Sequence, residues 1–172
     1  TPDRIADGLR NFRGVDRRFQ LRGSARGVAV VDDYGHHPTE IRATLAAARE
    51  CRYKRVHVVF QPHRYTRTAD LMDQFAGAFV DADTVFVLPI YAASEQSIPG
   101  VTAERLVERI EGPRVQFVPD FAAAIQTVTA EATEGDLILT LGAGSVSQLA
   151  PQNVNALGES ACLFLLDSFG NF

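Results

Sequence analysis

Three runs that are apolar but for His57 and Thr140, Val56–Phe60, 85–90 and Leu137–Leu141, constrain this chain more than any other feature. Runs without polar alternation are buried on both faces, the environment of a parallel sheet covered by helices on each side. The segments between them carry apolar residues at helical spacing: Ile41, Leu45 and Ala48; Leu71, Met72, Phe75 and Phe79; Leu106, Val107 and Ile110; Phe121, Ala124, Ile125 and Val128. A further short strand is predicted at 115–118. This alternation predicts an α/β domain with a mostly parallel sheet and helices on both faces. Two extended stretches, 18–22 and 27–32, come first and flank Gly23-Ser24-Ala25-Arg26, which predicts an antiparallel hairpin or a short return, and with it one antiparallel edge strand. Ahead of them, Ile5, Leu9 and Phe12 mark a helix over 3–12 that Gly14 closes.

Composition excludes several classes of function. A formal net charge of −4 leaves no general electrostatic footprint for nucleic acid. No apolar run approaches the roughly 20 residues that span a bilayer. The first residues, Thr1-Pro2-Asp3-Arg4-Ile5, lack the basic-then-apolar order of a secretion signal. A cytoplasmic parent protein with no membrane partner is therefore expected. A chain opening on Thr1 rather than Met reads as a fragment, with 1–17 the end of a preceding domain or a linker and 18–172 one domain. Cys51 and Cys162 lack metal or redox spacing and are read as reduced thiols. The apolar end from Cys162 to Phe172 is expected to pack on a sheet edge or on a partner.

Ligands on parallel sheets bind beyond the C-terminal ends of the strands, and two segments there carry chemistry. In Asp32-Asp33-Tyr34-Gly35-His36-His37-Pro38-Thr39-Glu40, Asp33 can accept hydrogen bonds from a ribose diol, and Gly35 lets backbone approach a ligand. The histidines offer stacking, hydrogen bonds or metal ligation. The plainer alternative has Asp33 capping the following helix and His36 and His37 solvated. In Phe60-Gln61-Pro62-His63-Arg64-Tyr65-Thr66-Arg67-Thr68, a helical continuation would set Arg64 and Arg67 three apart on one face, a clamp for carboxylate or phosphate. Alternatively they are surface arginines near Asp70 and Asp73. Arg17 and Arg18 are available for phosphate, or form a solvated charge run. Gly142-Ala143-Gly144 fails as a dinucleotide fingerprint because Ser147 stands at the third glycine position, and tight turning explains its glycines. No P-loop, nucleophile elbow or zinc-binding helix pair is present, so a complete active site is not visible.

These segments resemble the Mur ligase family. The resemblance rests on Phe12-Arg-Gly-Val-Asp-Arg-Arg-Phe19, on the two loops above, on Leu88-Pro-Ile-Tyr-Ala-Ala-Ser-Glu95 and on Gly135-Asp-Leu-Ile-Leu-Thr-Leu-Gly-Ala-Gly144, in family order. It implies that 18–172 is the C-terminal, Rossmann-like nucleotide- and amino-acid-binding domain. The preceding domains would bind the UDP sugar and carry the P-loop. The implied reaction activates the carboxylate of UDP-N-acetylmuramate as an acyl phosphate, using ATP and Mg2+, and L-alanine then attacks. Carried over by motif, Arg18 and Asp33 would bind ATP, and Tyr34, His36, Arg64 and Arg67 would bind L-alanine. Mg2+ would be held mainly by the central domain, no metal ligand or catalytic residue would lie in this chain, and the chain alone would be inactive. Tyr34-Gly35 separates it from the member that uses recycled tripeptide, whose motif is Asp-Asp-Phe-Ala-His-His-Pro. Beyond Ser147, Pro151 and Gln152-Asn153-Val154-Asn155 are expected to interrupt the family's regular terminal helix. Two readings outside the family stay open: a freestanding nucleotide-binding module, and a metal hydrolase using His36, His37 and His63.

Overall fold

The computed structural model describes residues 2–10 and 15–158. Helix α1 (Pro2–Arg10) is followed by β1 (Gln20–Ala25), β2 (Val28–Asp33), α2 (Pro38–Glu50), β3 (Val56–Phe60), α3 (Tyr65–Asp70), α4 (Met72–Ala76), β4 (Thr84–Val87), α5 (Ala103–Arg109), β5 (Arg114–Phe117), α6 (Phe121–Glu131) and β6 (Leu137–Leu141). The 3-10 turn Ser145–Gln148 then leads into a helix over 149–158. The six strands lie in the order β1-β2-β6-β3-β4-β5. Only the β1–β2 pair is antiparallel, so the expected parallel sheet with one antiparallel edge strand is present.

Each strand of the centre feeds two cores because side chains alternate across the sheet. Val56, Val58 and Phe60 of β3 join Ile41 and Leu45 of α2, Phe75 of α4 and Leu106 of α5 on one face. Val59 joins Phe86, Ile138, Val128 of α6, and Leu149 and Leu157 of the last helix on the other. The apolar stripe expected on α2 is thus the stripe it buries.

Local chemistry displaced several boundaries. The hairpin turns at Arg26-Gly27, whose φ values of 52° and 72° are those of a two-residue type I′ turn. Gly23 instead sits inside β1 beside a register shift, facing Val154 of the last helix. Of the helix marked by Leu71 to Phe79 only α4 forms: Leu71 separates it from the preceding α3, and Phe79 lies beyond it. Pro151 does not interrupt the terminal helix: it falls in the first turn, where its missing N–H costs nothing. Phe12, Gly14, Cys162 and the apolar end lie outside the described residues.

The N-terminal edge of the sheet is fixed by a buried polar cluster. Asp136 Oδ2 accepts from Arg55 Nη2 at 2.7 Å and from Thr133 N at 2.8 Å, and lies 3.2 Å from His57 Nε2. His57 is fully enclosed, with Nδ1 2.7 Å from the Thr84 hydroxyl. Burial alone would raise the Asp136 pKa, but hydrogen bonds from Arg55, Thr133 and His57 outweigh it and hold the group at about 2.

Candidate functional site

Pairing of β2 and β3 on either side of β6 brings three loops to one edge. Asp33 and Phe60 both stand opposite Leu141, so the chain segments after them, 34–37 and 61–64, emerge beside the 142–144 turn.

Asp33 is the organising residue of this edge. Its carboxylate is 5% exposed and accepts from Phe19 N at 2.7 Å, Gly35 N at 2.7 Å and Thr44 Oγ1 at 3.2 Å. A carboxylate offers about four lone-pair positions, so three internal donors leave roughly one for a ligand. Asp33 does not cap α2. His37 does, its Nδ1 accepting from Thr39 N at 3.2 Å, while the Glu40 carboxylate accepts from His37 N at 3.2 Å and His36 N at 3.1 Å. Burial raises the Glu40 pKa, but these two N–H donors, then the charges of His36 and Arg18, bring it below its usual value.

Gly35 is required for a reason that spacing does not reveal. A Cβ there would lie 2.9 Å from Asp33 Oδ1, the oxygen that its own N–H binds. Gly35→Ala must displace a buried, triply bonded carboxylate. The expected cost is about 1–3 kcal/mol, visible as a lowered unfolding midpoint; an unchanged midpoint would contradict this geometry.

Beside Asp33 the side chains form a row of rings edged by arginines. Tyr34 meets His36 edge-on at 5.3 Å, His36 lies 6.0 Å from His63, and His63 stacks on Tyr91 at 5.5 Å and 15°. Arg67 Nη1 is 3.3 Å from His63 Nδ1. Arg64 precedes α3 with φ 70°, a costly conformation for a side-chain-bearing residue. Its guanidinium lies 3.7 Å from Glu95, whose carboxylate also accepts from Thr66 N and Oγ1. Arg64 and Arg67 therefore do not share a helical face: each is drawn to a different partner, with the row of rings beside them. Asp73 pairs with Arg109 instead of either.

Arg17 and Arg18 separate in role. Arg17 pairs with Asp32 at 2.9 Å, donates to the Gly142 carbonyl and covers the Tyr34 ring at 4.9 Å. It is a structural tie between β2 and the turn after β6, not part of a solvated run. Arg18, half exposed, reaches only to 4.0 Å from Glu40 and 5.9 Å from the Tyr34 ring, and so keeps donors free at the edge. Positive φ at Arg17 (57°) and Phe19 (44°) brackets it. The contacts that sequence reasoning missed, Arg17 to Asp32, Arg64 to Glu95 and His63 to Tyr91, join residues far apart in the chain, so no local spacing announces them.

Two cavities flank the edge. One of about 490 Å³ is lined by Gln61, Leu88, Tyr91, Pro119 and Phe121, and one of about 440 Å³ by Tyr65, Ile90, Ile98, Val101 and Phe117. Arg18, Tyr34, His36 and Arg67 line neither. Among the described residues no group of three or more His, Cys, Asp or Glu is arranged to hold a metal ion. No described helix is long and apolar enough to cross a membrane.

The sheet and the strand-end loops that carry these side chains lie within the match to one family model. The chain belongs to the Mur ligase family, whose glutamate ligase domain model matches residues 17–144. Among its relatives, the UDP-N-acetylmuramate–L-alanine ligase of Solibacter usitatus is 64% identical over 150 residues, covering 86% of this chain and 32% of that protein. The ligase of the same name from Koribacter versatilis is 59% identical over 159 residues, covering 90% of this chain and 34% of that protein. The solved structure of UDP-N-acetylmuramate–alanine ligase from Thermotoga maritima matches with a TM-score of 0.73 at 28% identity, over 91% of this chain and 33% of that one. The chain spans about a third of the length of the curated relatives it matches.

Proposed function

We propose that this chain is the nucleotide- and amino-acid-binding domain of an ATP-dependent amide ligase that joins L-alanine to UDP-N-acetylmuramate in peptidoglycan synthesis. The observation that carries this reading is the 64% identity to a protein of that name. Coverage of 86% of the chain necessarily includes the loops after β2 and β3. In this reading residues 18–172 form the domain, and 1–17 belong to a linker or to the domain before it.

The site residues then divide by chemistry. Arg18, half exposed and only loosely paired with Glu40, brings guanidinium donors to the ATP phosphates. Asp33, oriented by its three internal donors, offers its remaining acceptor position to one ribose hydroxyl. Arg64 and Arg67 bind the α-carboxylate of L-alanine, and Tyr34 and His36 wall its methyl group. In the reaction the muramyl carboxylate displaces ADP from the γ-phosphate to give an acyl phosphate, and the alanine amine attacks its carbonyl and expels phosphate. Mg2+ belongs to the P-loop domain in this reading. Among the described residues the donor sets do not fit a metal site of their own.

Acyl phosphates must be shielded from water, and Tyr34, His36 and Arg67 stand on an open face outside the flanking cavities. The chain alone is therefore expected to turn nothing over while still binding L-alanine weakly. Chemical-shift perturbation of the His36 and His63 rings by L-alanine, with no ADP formed from ATP and UDP-N-acetylmuramate, is the predicted result. L-alanine-dependent ADP release by the isolated chain would sink the domain assignment.

A further inference from the structure

Tyr91 is 40% exposed, yet its position is fixed from several sides. A Cβ added to Gly144 would lie 2.9 Å from Tyr91 Cγ, so the ring occupies space that only glycine leaves free. The same ring stacks on His63. Its backbone is tied to the loop after β3: Tyr91 N donates to the Pro62 carbonyl and Arg64 N to the Tyr91 carbonyl, both at 2.8 Å. The second of these bonds holds Arg64 where its φ is 70°. The last link is the 3.3 Å contact between Arg67 Nη1 and His63 Nδ1. A guanidinium has only donors, so Nδ1 must be the acceptor and carry no proton.

We infer that Tyr91, seated against Gly144, is a positioning residue of the amino-acid site: its ring sets Arg67 by stacking on His63, while the main chain at 91 holds Arg64 whatever the side chain. The inference rests on the reading of Arg64 and Arg67 as the L-alanine ligands. It gives the 88–95 segment and the 142–144 turn a shared purpose, since one places the ring and the other leaves room for it. The groups facing His63 are Arg67 and Arg64 around the start of α3, His36 from the loop before α2, and Tyr91 and Glu95 from the loop after β4. Burial lowers the His63 pKa most, followed by the charges of Arg67, His36 and Arg64, while Glu95 opposes them. Removing the Tyr91 ring uncovers His63, so its titration must move up toward the ordinary histidine value.

The test pairs kinetics with a titration. In the polypeptide that includes the upstream domains, Tyr91→Ala is expected to raise KM for L-alanine about 10- to 100-fold, as a misplaced binding group does. Its kcat and its KM for ATP should change less than about threefold. Tyr91→Phe should behave as wild type, because the stacking face is kept. In this chain alone, NMR should show the His63 midpoint raised in Tyr91→Ala and unmoved in Tyr91→Phe. If Tyr91→Ala fails to fold, Gly144→Ala, which presses on the ring from the turn, should give the same KM split. An L-alanine KM within about twofold of wild type overturns the inference, as does a raised KM with an unmoved His63 titration. If the wild-type polypeptide joins no L-alanine at all, the proposed function fails instead. The His63 titration then decides the positioning by itself, and an unmoved midpoint overturns it.

Discussion

Arg67→Ala, in the polypeptide that carries the upstream domains, is expected to raise KM for L-alanine on the order of 100-fold. A charge-assisted hydrogen bond contributes about 1.5–3 kcal/mol, and roughly 1.4 kcal/mol corresponds to each tenfold in binding. Arg67 sits at the upper end of that range because, among the described residues, its guanidinium meets a histidine nitrogen and not a carboxylate, so its charge is left for a ligand. Arg64→Ala should cost less, since Arg64 already leans on Glu95. The unfolding midpoint should hardly move in Arg67→Ala, which separates lost binding from lost fold. Initial-rate kinetics over a range of L-alanine checks the split. An unchanged L-alanine KM would remove Arg67 from the site.

The largest effect on stability lies at the opposite edge of the sheet. Asp136→Ala strips the buried acceptor from Arg55, Thr133 and His57 together. Breaking a buried charged network from one side costs about 3–5 kcal/mol, a large part of the roughly 5–15 kcal/mol that holds a domain folded. For a chain of this size that is a fall in Tm of roughly 6–20 °C. The same carboxylate sets an acid limit. Its folded pKa of about 2 lies below the ordinary 3.8, so the folded state favours the ionised form. The resulting stabilisation, about 2 kcal/mol, is complete above roughly pH 4 and is lost as pH falls toward 2. In Asp136→Asn the acid-limb slope over that window should flatten. A variant with the wild-type Tm and acid limb would show that the cluster does not hold the edge.

What was legible in the sequence followed from local periodicity. Val56–Phe60 and Leu137–Leu141 are buried at every position, and apolar at all but His57 and Thr140, because both faces of the sheet are covered, and Ile41, Leu45 and Ala48 recur at the period of a helix that buries one face. Signals that depend on a neighbour from elsewhere in the chain misled or stayed silent. Gly23 looks like a turn residue, but it makes room for Val154, and the turn falls two residues after Ser24 at Arg26-Gly27. His57 and Asp136 meet across adjacent strands from positions 79 residues apart, so neither has a local mark of its partner. At the candidate site the two loops stood out by their residue types and by their resemblance to a family. Which side chains meet did not. The row from Tyr34 to Tyr91 exists because β2, β6 and β3 are neighbours, and the separation of Arg64 from Arg67 depends on Glu95.

The central claim is that this chain supplies the amino-acid site of an L-alanine-adding ligase. Its most direct test is ADP release by the polypeptide joined to its upstream domains, with UDP-N-acetylmuramate, ATP and Mg2+, offering L-alanine and the recycled tripeptide in separate reactions. Release that requires L-alanine, with formation of the UDP-N-acetylmuramoyl-L-alanine amide, is the result predicted. Release with the tripeptide alone would contradict the specificity and assign the same fold to the recycling reaction. Release with neither would contradict the ligase reading altogether.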